Sequence, residues 1–545
     1  MIKVNNYSSF LPEKWGKSKL MVLIALFLAC SGNIKFFEHV MEIYPWSGNA
    51  VFLISMFLFF CAFLVLLISM FNLILPFRVV GGVLLIFASI TGYFSNQFGV
   101  VIDRDMIHNL LETNASEALD LINFGIVFHV GLMGVLPAVL VWYAPIKREK
   151  WLHDKRFVLQ TALISLLFMV LCFGSNSAQY TSAVREHKNL RYEINPVYPI
   201  YSIGRYVHKA IKGDQPKFKM IAGDVTRQED DVAHELVIVV VGEAVRADHF
   251  SLNGYSRETN PRLSKIKQVL NYSQVSSCGT ATAISVPCMF SFSGRKDFDR
   301  SSAKYTENVL DILKKSGVTV LWRDNNSSSK GVANRIEYVD YKSPDVNPVC
   351  DVECRDIGML SGLQEFIDAH QEDILIVLHQ MGNHGPAYYK RYPKAFEQFK
   401  PACQTNELSE CSKSEIVNAY DNAILYTDYF LSEVIGLLKA NEKNFETSMF
   451  YIGDHGESLG ENGLYLHGMP YMFAPEAQTH VPIIVWAGDS SDIDYQRSLS
   501  LTHAPNSHDT VVHTLLETFE LEIEYHEKLS FHPPLFYRKS GDEPI

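Results

Sequence analysis

The hydrophobic positions of this chain follow two patterns that divide near residue 180. Before this point, long apolar runs follow one another; after it, short apolar segments alternate with polar stretches. A run of about 20 apolar residues is long enough to cross a bilayer as a helix. Five such runs can be placed, and residues 1–179 are therefore predicted to form a five-helix transmembrane domain. The runs lie near 20–38, 50–73, 79–98, 123–144 and 157–176.

The basic residues indicate how the predicted bundle is oriented. Lysines precede the first run, Arg78 lies in the second connection, and five basic residues lie in the fourth. Because positive residues accumulate on the cytoplasmic side, everything after residue 177 is expected outside. Further long apolar runs follow the first one, which is therefore interpreted as an uncleaved anchor rather than a signal peptide.

The remainder of the chain is predicted to contain a linker and one folded domain. Residues 180–216 interleave tyrosines with arginines and lysines, a composition that suits a membrane surface and predicts an interfacial linker. A nucleic-acid patch has a similar composition, but the predicted location argues against it. From residue 217, strand-like and helical segments alternate, which predicts an α/β sandwich spanning 217–545 with a site at one edge. Strands are expected at 236–241, 318–322, 374–378, 449–452 and 483–486.

Two of these strands end in a glycine that is followed by side chains able to bind a metal. Glu243 follows the first strand, and Asp454 and His455 follow another. Ligands of open α/β sheets bind beyond the carboxyl ends of the strands, so these side chains are candidates for one cation site. Gly453 and Gly456 would let the backbone bend so that Asp454 and His455 reach the same ion. For Glu243 alone, capping of the next helix is the alternative.

A candidate nucleophile lies between these strands. Thr280 belongs to the small-residue segment Ser-Cys-Gly-Thr-Ala-Thr, which precedes a predicted helix. Backbone N–H groups and the dipole at a helix N-terminus favour a phosphate there. Thr280 is therefore predicted to act as the nucleophile, with a simple helix cap as the alternative.

The order strand-Gly-Glu, Cys-Gly-Thr and strand-Gly-Asp-His resembles the alkaline phosphatase and sulfatase superfamily. Longer stretches resemble the lipid A phosphoethanolamine transferases, including the mobile colistin-resistance type, along the whole chain. They are VVVGEAVRADHFSLNGYSRETNP, SSCGTATAISVPCMFS, WRDNNSSSKG, HQMGNHGPAY and YIGDHGESLGENGLYLHG. The resemblance implies a multi-pass protein of the bacterial inner membrane with an alkaline-phosphatase-like catalytic domain in the periplasm, giving polymyxin resistance.

The candidate ligands predict zinc as the cofactor. Glu243, Thr280, Asp454 and His455 supply oxygen and nitrogen donors, and the histidine favours Zn²⁺ over Mg²⁺. Zinc would lower the pKa of the Thr280 hydroxyl for attack on phosphorus. One tight zinc is expected, and a second, weaker one is left open. By resemblance, five further residues contact the phosphate or that second zinc: Ser327, Lys330, His379, His384 and His467.

Three residues in the connection between the third and fourth spans form a helical stripe. Asn109, Thr113 and Glu117 follow one another at intervals of four residues. Spacing alone allows a solvated face. The resemblance implies instead that they hold the head group of the lipid donor.

The resemblance also implies a two-step reaction. Thr280 would take phosphoethanolamine from phosphatidylethanolamine, release diacylglycerol, and pass the group to a lipid A phosphate. Another envelope glycan as acceptor, or glycerol phosphate as the transferred group, is the alternative within enzymes. A transporter or receptor is disfavoured because, apart from His129, the span cores hold few ionisable residues.

Charge and cysteine usage complete the prediction. The net charge of −12 does not predict binding to an anionic lipid, so recognition is expected to be local, through residues such as Lys330 and Arg323. We expect a monomer that contacts inner-membrane lipids and no nucleic acid. Six cysteines outside the spans predict a disulfide framework, since the Cys-x2-Cys spacing of zinc fingers is absent. The favoured pairs are Cys278–Cys288, Cys350–Cys354 and Cys403–Cys411.

Overall fold

The structure is a computed structural model that describes residues 14–112, 119–147, 150–211, 217–227, 233–526 and 531–539. The chain forms two compact units. The first contains Met1–Ile107 and Ile122–His208, and the second contains His108–Leu121 and Lys209–Ile545. The hydropathy pattern does not indicate that 108–121 groups with the second unit, because it lies between two apolar runs. The boundaries at 179 and 216 stay a prediction.

Apolar helices dominate the N-terminal part of the chain. The described helices of this part are α1 Lys17–Gly32, α2 Ile34–Ile43, α3 Trp46–Ile74, α4 Phe77–Phe98, α5 Arg104–Glu112, α6 Phe124–Tyr143, α7 Trp151–Ser175, α8 Ser177–Glu186 and α9 Val197–Ile211. Among the described residues, α3, α4, α6 and α7 are each long and apolar enough to cross a membrane.

A fifth span is obtained only if α1 and α2 are counted together, and they meet at an angle of 70°. The predicted first run is therefore broken, and the break lies at Asn33. The Asn33 side chain is buried, and its amide donates to the carbonyl of Leu28 at 2.9 Å. Because this amide bonds to a carbonyl near the end of α1, it helps to stop the helix there.

The second unit is built on a mixed sheet of eight strands. The strand order is β11-β3-β10-β7-β2-β6-β4-β5. Strands β4 to β7 and β2 form its parallel part, while β10 runs antiparallel to β7 and β3. Two small antiparallel sheets, β1-β12 and β8-β9, flank it. The strands are β1 Ala222–Arg227, β2 Glu235–Gly242, β3 Val269–Ser276, β4 Thr319–Asp324, β5 Glu337–Asp340, β6 Ile374–His379, β7 Glu446–Gly453, β8 Ser458–Leu459, β9 Tyr465–Leu466, β10 His480–Ala487, β11 Asn506–Ser507 and β12 Leu521–Tyr525.

The central strands of this sheet are buried on both faces. Every residue of β2 and β6 is buried, as expected for parallel strands covered by helices. The helix Lys413–Asn441 contacts β7, and the helix Val309–Lys315 contacts β4. The helices are α10 Thr282–Met289, α11 Gly294–Asp297, α12 Arg300–Ala303, α13 Val309–Lys315, α14 Leu363–Asp368, α15 Lys413–Asn441, α16 Glu476–Thr479, α17 Tyr495–Ser498 and α18 Val511–Thr518. The predicted fold class, apolar helices followed by an α/β domain, is confirmed.

Three disulfides close short loops in the second unit. They join Cys278 to Cys288, Cys350 to Cys354 and Cys403 to Cys411, the pairs favoured from the sequence. Cys30, Cys61 and Cys172 are unbridged and lie in the apolar helices. Two of the bridges lie in the long irregular stretches 330–360 and 386–412, which hold few regular elements.

Candidate active site

The register of the parallel strands brings the predicted ligands to one edge of the sheet. Gly242 of β2 is opposite Gly453 of β7, so the residues that follow them, Glu243 and Asp454, are neighbours. On the other side of β2, β6 ends at His379. Parallel strands end at the same edge, where ligands of such sheets bind.

Glu243, Asp454 and His455 form a buried cluster with no exposed surface. Nε2 of His455 lies 3.3 Å from Oε1 of Glu243 and 3.4 Å from Oδ2 of Asp454. The other ring nitrogen, Nδ1, donates to the carbonyl of Gly456 at 2.9 Å. Since a carbonyl can only accept, Nδ1 carries the hydrogen and Nε2 is directed at the two carboxylates. A backbone carbonyl is a common partner for the second nitrogen of a metal-binding histidine.

Thr282, and not Thr280, supplies the hydroxyl of this cluster. Oγ1 of Thr282 donates to Oε2 of Glu243 at 2.8 Å and lies 3.2 Å from Nε2 of His455. Thr280 instead donates to the carbonyl of Met469 at 2.6 Å. Helix α10 begins at Thr282, so the hydroxyl at the helix N-terminus belongs to Thr282. The sequence analysis begins this helix at residue 283 and therefore places its N-terminal hydroxyl at Thr280, two residues before the position that the structure shows.

This cluster holds more acidic than basic groups and therefore favours a bound cation. Burial opposes ionisation of Glu243, but the charge of His455 and its contact with the carboxylate outweigh it and hold the pKa of Glu243 well below its usual range. Burial, reinforced by the charge of Glu243, raises the pKa of Asp454 to about 6. Burial favours neutral His455, yet the two carboxylates raise its pKa to about 10. All three pKa shifts arise because two carboxylates lie close together in a buried space without water, where a positive charge stabilises them.

The donor set fits a zinc ion. Among the described residues, Oε1 of Glu243 and Oδ2 of Asp454 accept no hydrogen bond, and both are fully buried. Leaving buried carboxylate oxygens without a partner is costly unless a proton or a metal binds them. One imidazole nitrogen, two carboxylates and a hydroxyl are a donor combination that zinc accepts.

His467 lies beside the cluster, supported by a buried acid. Donor atoms of Glu243, His455 and His467 all lie within 4.8 Å of one another. Nδ1 of His467 is 2.7 Å from Oε2 of Glu457, whose other oxygen accepts from the Tyr388 hydroxyl at 2.7 Å. The rings of His455 and His467 are 4.3 Å apart.

His384 is brought to the same place. Its ring centre lies 5.7 Å from that of His467. Burial lowers the pKa of His384 to about 3, against the charge of Glu243. His384 is therefore neutral, and a neutral ring can bind a metal or contact a phosphate.

His379 is held by an aspartate rather than by the first cluster. Nδ1 of His379 is 2.9 Å from Oδ2 of Asp324, which also accepts from Trp322 Nε1 at 2.9 Å. Both members of the pair are fully buried. Because Asp324 ends β4 opposite His379 of β6, the sheet register itself makes this pair.

Ser327 and Lys330 are linked to Glu243 through a residue that the sequence analysis did not single out. Asn326 donates from its amide to Oε2 of Glu243 and to the carbonyl of Gln380, both at 2.8 Å. Its amide oxygen accepts from the Ser327 hydroxyl at 2.9 Å, and Lys330 donates to that hydroxyl oxygen at 2.6 Å. Asn326 lies two residues after a strand end and within the stretch WRDNNSSSKG, but neither signal identifies it as a partner of Glu243.

His508 is a second buried residue that the sequence did not reveal. It lies against the loops of the cluster, accepting from the Cys278 N–H at 3.1 Å through Nδ1. Nε2 donates to the carbonyl of Gly453 at 2.9 Å. Burial lowers the pKa of His508 to about 4, so the ring is neutral and bridges the two segments. No motif surrounds it, which is why sequence alone does not find it.

Left-handed backbone occurs next to the cluster at residues other than glycine. Ala244 follows Glu243 with φ 54°, Lys330 has φ 52°, and Leu466 precedes His467 with φ 63°. Such conformations cost of the order of 1 kcal/mol each and concentrate at functional sites. They mark the same loops that the hydrogen bonds identify.

The predicted lipid-binding stripe lies mostly outside the described residues. Asn109 is in α5 and is partly buried, whereas Thr113 and Glu117 fall in the gap 113–118. His480 and His503, for which the sequence suggests no role, both contact Ser273.

The fold and the strand-end ligands define the class of protein. A family profile described as Sulfatase matches residues 235–521, and one described as Phosphoethanolamine transferase EptA/EptB matches residues 59–211. The phosphatidylethanolamine transferases Mcr-2 and Mcr-1 of Escherichia coli are 43% and 42% identical to this chain over 517 residues. Each alignment covers 92% of this chain, with 95% of Mcr-2 and 94% of Mcr-1.

A solved structure supports the same relationship over both units. The integral membrane lipooligosaccharide phosphoethanolamine transferase A (EptA) of Neisseria meningitidis matches with a TM-score of 0.89 at 33% identity. The match covers 94% of this chain and 97% of that one. The chain therefore belongs to the phosphoethanolamine transferase family. The predicted family, transferase class and multi-pass inner-membrane location with a periplasmic catalytic domain are confirmed.

Proposed function

We propose that this enzyme moves phosphoethanolamine from phosphatidylethanolamine to a phosphate of lipid A, through a covalent ester on Thr282. Relatives at 42–43% identity are named phosphatidylethanolamine transferases, which supports the donor. A more distant relative is named Kdo(2)-lipid A phosphoethanolamine 7''-transferase. Modification of lipid A in this way would lower its negative charge and reduce polymyxin binding.

The observation that carries the covalent step is the position of the Thr282 hydroxyl. It lies at the N-terminus of α10 and is hydrogen-bonded to Glu243 at 2.8 Å. Glu243 can accept the hydroxyl proton, and the backbone N–H groups at the helix start favour phosphoryl oxygens. Thr280, whose hydroxyl is bonded to a carbonyl, has neither relationship.

The reaction then takes two displacements at phosphorus. In the first, the Thr282 oxygen bonds to phosphorus, the bond to diacylglycerol breaks, and diacylglycerol leaves with a proton. In the second, an oxygen of the acceptor phosphate bonds to phosphorus and the Thr282–phosphorus bond breaks. Thr282 regains its proton, and the product is a phosphoethanolamine joined to the acceptor by a diphosphate linkage.

Glu243, Thr282, Asp454 and His455 would hold the zinc ion. When bound, zinc supplies a Lewis acid that favours a deprotonated hydroxyl and offsets charge on the phosphoryl group. Asn326 orients Glu243, and the Gly456 carbonyl orients His455. A second, weaker zinc or the substrate phosphate would be contacted by Ser327, Lys330, His379, His384 and His467.

The donor head group is proposed to bind Asn109, Thr113 and Glu117. A protonated ethanolamine needs a carboxylate or another acceptor close by, and Glu117 supplies the charge. Glu117→Gln should slow turnover of phosphatidylethanolamine by the intact enzyme while zinc content is unchanged. If Glu117→Gln turns over the donor at the wild-type rate, the proposed head-group site is wrong and only the proposed chemistry at Thr282 remains.

The test compares two threonine-to-alanine variants of the full-length enzyme in detergent. With a fluorescent phosphatidylethanolamine, Thr282→Ala should release no diacylglycerol and carry no phosphoethanolamine on its peptide by mass spectrometry. Thr280→Ala is the matched control, with the same change two residues away, and should retain both signals. Activity in Thr282→Ala together with loss in Thr280→Ala would return the nucleophile to Thr280.

The acceptor is tested separately in cells. Mass spectrometry of lipid A with and without the enzyme should show addition of one phosphoethanolamine and a matching gain in polymyxin tolerance. An unchanged lipid A together with a modified core sugar or periplasmic glucan would assign the enzyme to the alternative acceptor.

A further inference from the structure

A cavity of about 550 Å³ with several charged lining residues lies at the cytoplasmic end of the first unit. The end of α3, the beginnings of α1, α4 and α7, and the segment after α6 surround it. Its charged lining residues are four bases and one acid, which are Lys17, Arg78, Lys147, Lys155 and Asp154. The first unit therefore concentrates positive charge in one concave place.

Specific contacts bring these bases together from separate segments. The Trp15 N–H donates to the carbonyl of Pro145 at 2.7 Å, and the Lys147 N–H donates to that of Trp15 at 3.1 Å. Arg78 donates to the carbonyl of Ala144 at 3.1 Å. The positive-inside rule explains basic residues on this face, but it does not require them to line one cavity.

Part of this charge is already matched within the protein. Lys17 forms an ion pair with Asp154 at 2.6 Å. Lys155 donates to the carbonyls of Asn72 and Leu73 at the end of α3, at 2.7 and 2.6 Å. Four cations against one carboxylate still leave an excess of three positive charges on the lining. An anion is therefore the expected ligand of this cavity.

An apolar groove begins where the cavity ends. Leu75 lines both the cavity and a groove of about 270 Å³. Val79, Val83 and Phe87 follow one face of α4 along the groove, at intervals of four residues. Eight residues of helix extend about 12 Å, so the groove runs away from the cytoplasmic end into the apolar part of the unit. Ile200 and Ile203 of α9 form its other side.

We propose that this cavity and groove bind one anionic phospholipid of the cytoplasmic leaflet, of the phosphatidylglycerol type. The basic cavity would hold the phosphate head group, and the groove from Leu75 would hold an acyl chain. Clusters of basic residues between spans on the cytoplasmic side are known to bind anionic head groups. This lipid differs from the proposed donor, which is zwitterionic and reacts in the periplasm.

The test uses the full-length protein in detergent with equal amounts of phosphatidylglycerol and phosphatidylethanolamine of identical acyl chains, measured by native mass spectrometry. Wild type should retain phosphatidylglycerol at least tenfold more than phosphatidylethanolamine. Arg78→Gln with Lys147→Gln should weaken phosphatidylglycerol binding by about 30-fold, since each base near an anionic lipid contributes roughly fivefold. Lys150→Gln with Arg156→Gln is the control, because it removes the same charge from the same face outside the cavity.

Each outcome decides the proposal. Selective loss in the cavity pair, with the control pair within threefold of wild type, supports it. Equal retention of both lipids by wild type means ordinary boundary lipid only and overturns it. Equal loss in both pairs means diffuse charge attraction and also overturns it. If the double variant Arg78→Gln with Lys147→Gln unfolds at a lower temperature than wild type in lipid-free detergent, single variants replace it. Lys147→Glu is then compared with Lys150→Glu, because each variant changes one exposed residue.

Discussion

Arg391 donates a hydrogen bond from Nε to the backbone carbonyl of His384 at 2.6 Å. Its other nitrogens contact Asp120, at 3.1 Å, and Glu353. The Arg391 side chain is only 2% exposed. A single buried guanidinium therefore joins the loop that carries His384 to a residue from the distant segment 108–121.

Arg391→Lys is expected to destabilise the protein and to slow turnover. Lysine cannot reproduce three contacts of a planar guanidinium, so part of the hydrogen bonding to the His384 carbonyl, Asp120 and Glu353 would be lost, at a cost of about 1–3 kcal/mol. The thermal unfolding midpoint and the turnover of a lipid donor measure the two effects. Arg262→Lys is the control, since that side chain is 51% exposed and its partner Glu433 is 3.9 Å away. Equal midpoints for the two variants would contradict the role given to Arg391.

Asn326→Leu is expected to weaken zinc binding. The substitution keeps the branched shape of the side chain but removes the amide that donates to Glu243, and loss of such supporting residues typically changes metal affinity by about 10- to 100-fold. Competition with a zinc-binding dye gives the affinity. Asn422→Leu serves as control because Asn422 is equally buried but donates to Phe399 and Tyr392. Unchanged zinc affinity in Asn326→Leu would remove it from the support of Glu243.

Stability should fall in mild acid partly because of His508. Burial lowers its folded pKa to about 4, while the unfolded side chain titrates near 6.5. Below pH 6.5 the unfolded state therefore binds the proton and the folded state does not. The contribution of His508 is complete above about pH 6.5 and is lost progressively as the pH falls towards 4, by up to about 3 kcal/mol.

His508→Gln should remove this part of the pH dependence. The comparison is the change in unfolding midpoint between pH 7.5 and pH 4.5 for each protein, since other titrating groups are common to both. A smaller change in the variant is expected, even if its midpoint at pH 7.5 is lower. Parallel curves would show that His508 is not held neutral.

Gly382→Ala is expected to displace Glu243. Gly382 has φ 51°, and a Cβ there would lie 2.9 Å from the backbone N and O of Glu243. Turnover should drop at least tenfold, with a loss of stability of about 1–3 kcal/mol. Gly362→Ala is the matched control, because Gly362 has φ 71° with open space around it. Gly362→Ala has the same kind of backbone strain but no contact with Glu243. Similar turnover in both variants would therefore show that Gly382→Ala does not displace Glu243.

The sequence predicts this site well where short-range pattern fixes the geometry. Glu243, Asp454 and His455 each follow a buried strand and a glycine, and the ends of parallel strands meet at one edge whatever the loops do. The pattern places the N-terminal hydroxyl at Thr280 and the structure places it at Thr282, because helix starts are uncertain by a residue or two and hydroxyls occur at both positions of Thr-Ala-Thr. A capping argument alone cannot choose between them.

The supporting residues could not be predicted in the same way. Asn326 reaches Glu243 across 83 positions, and His508 reaches Cys278 across 230. Such contacts arise only when loops from different strands are packed, and neither residue lies in a periodic pattern. Similarly, the apolar run near 20–38 conceals the bend at Asn33, which depends on one buried amide.

The grouping of 108–121 with the second unit has a consequence for the order in which the protein is made. Asp120 leaves the ribosome 270 residues before its partner Lys390, whose ammonium lies 2.5 Å from it in the finished fold. Synthesis proceeds from the N-terminus, so this segment must wait while several helices and most of the sheet are produced. An expressed fragment that starts after the membrane spans lacks Asp120 altogether. Lys390 and Arg391 would then face water in place of a carboxylate, and the loop of His384 would be studied without one of its native supports.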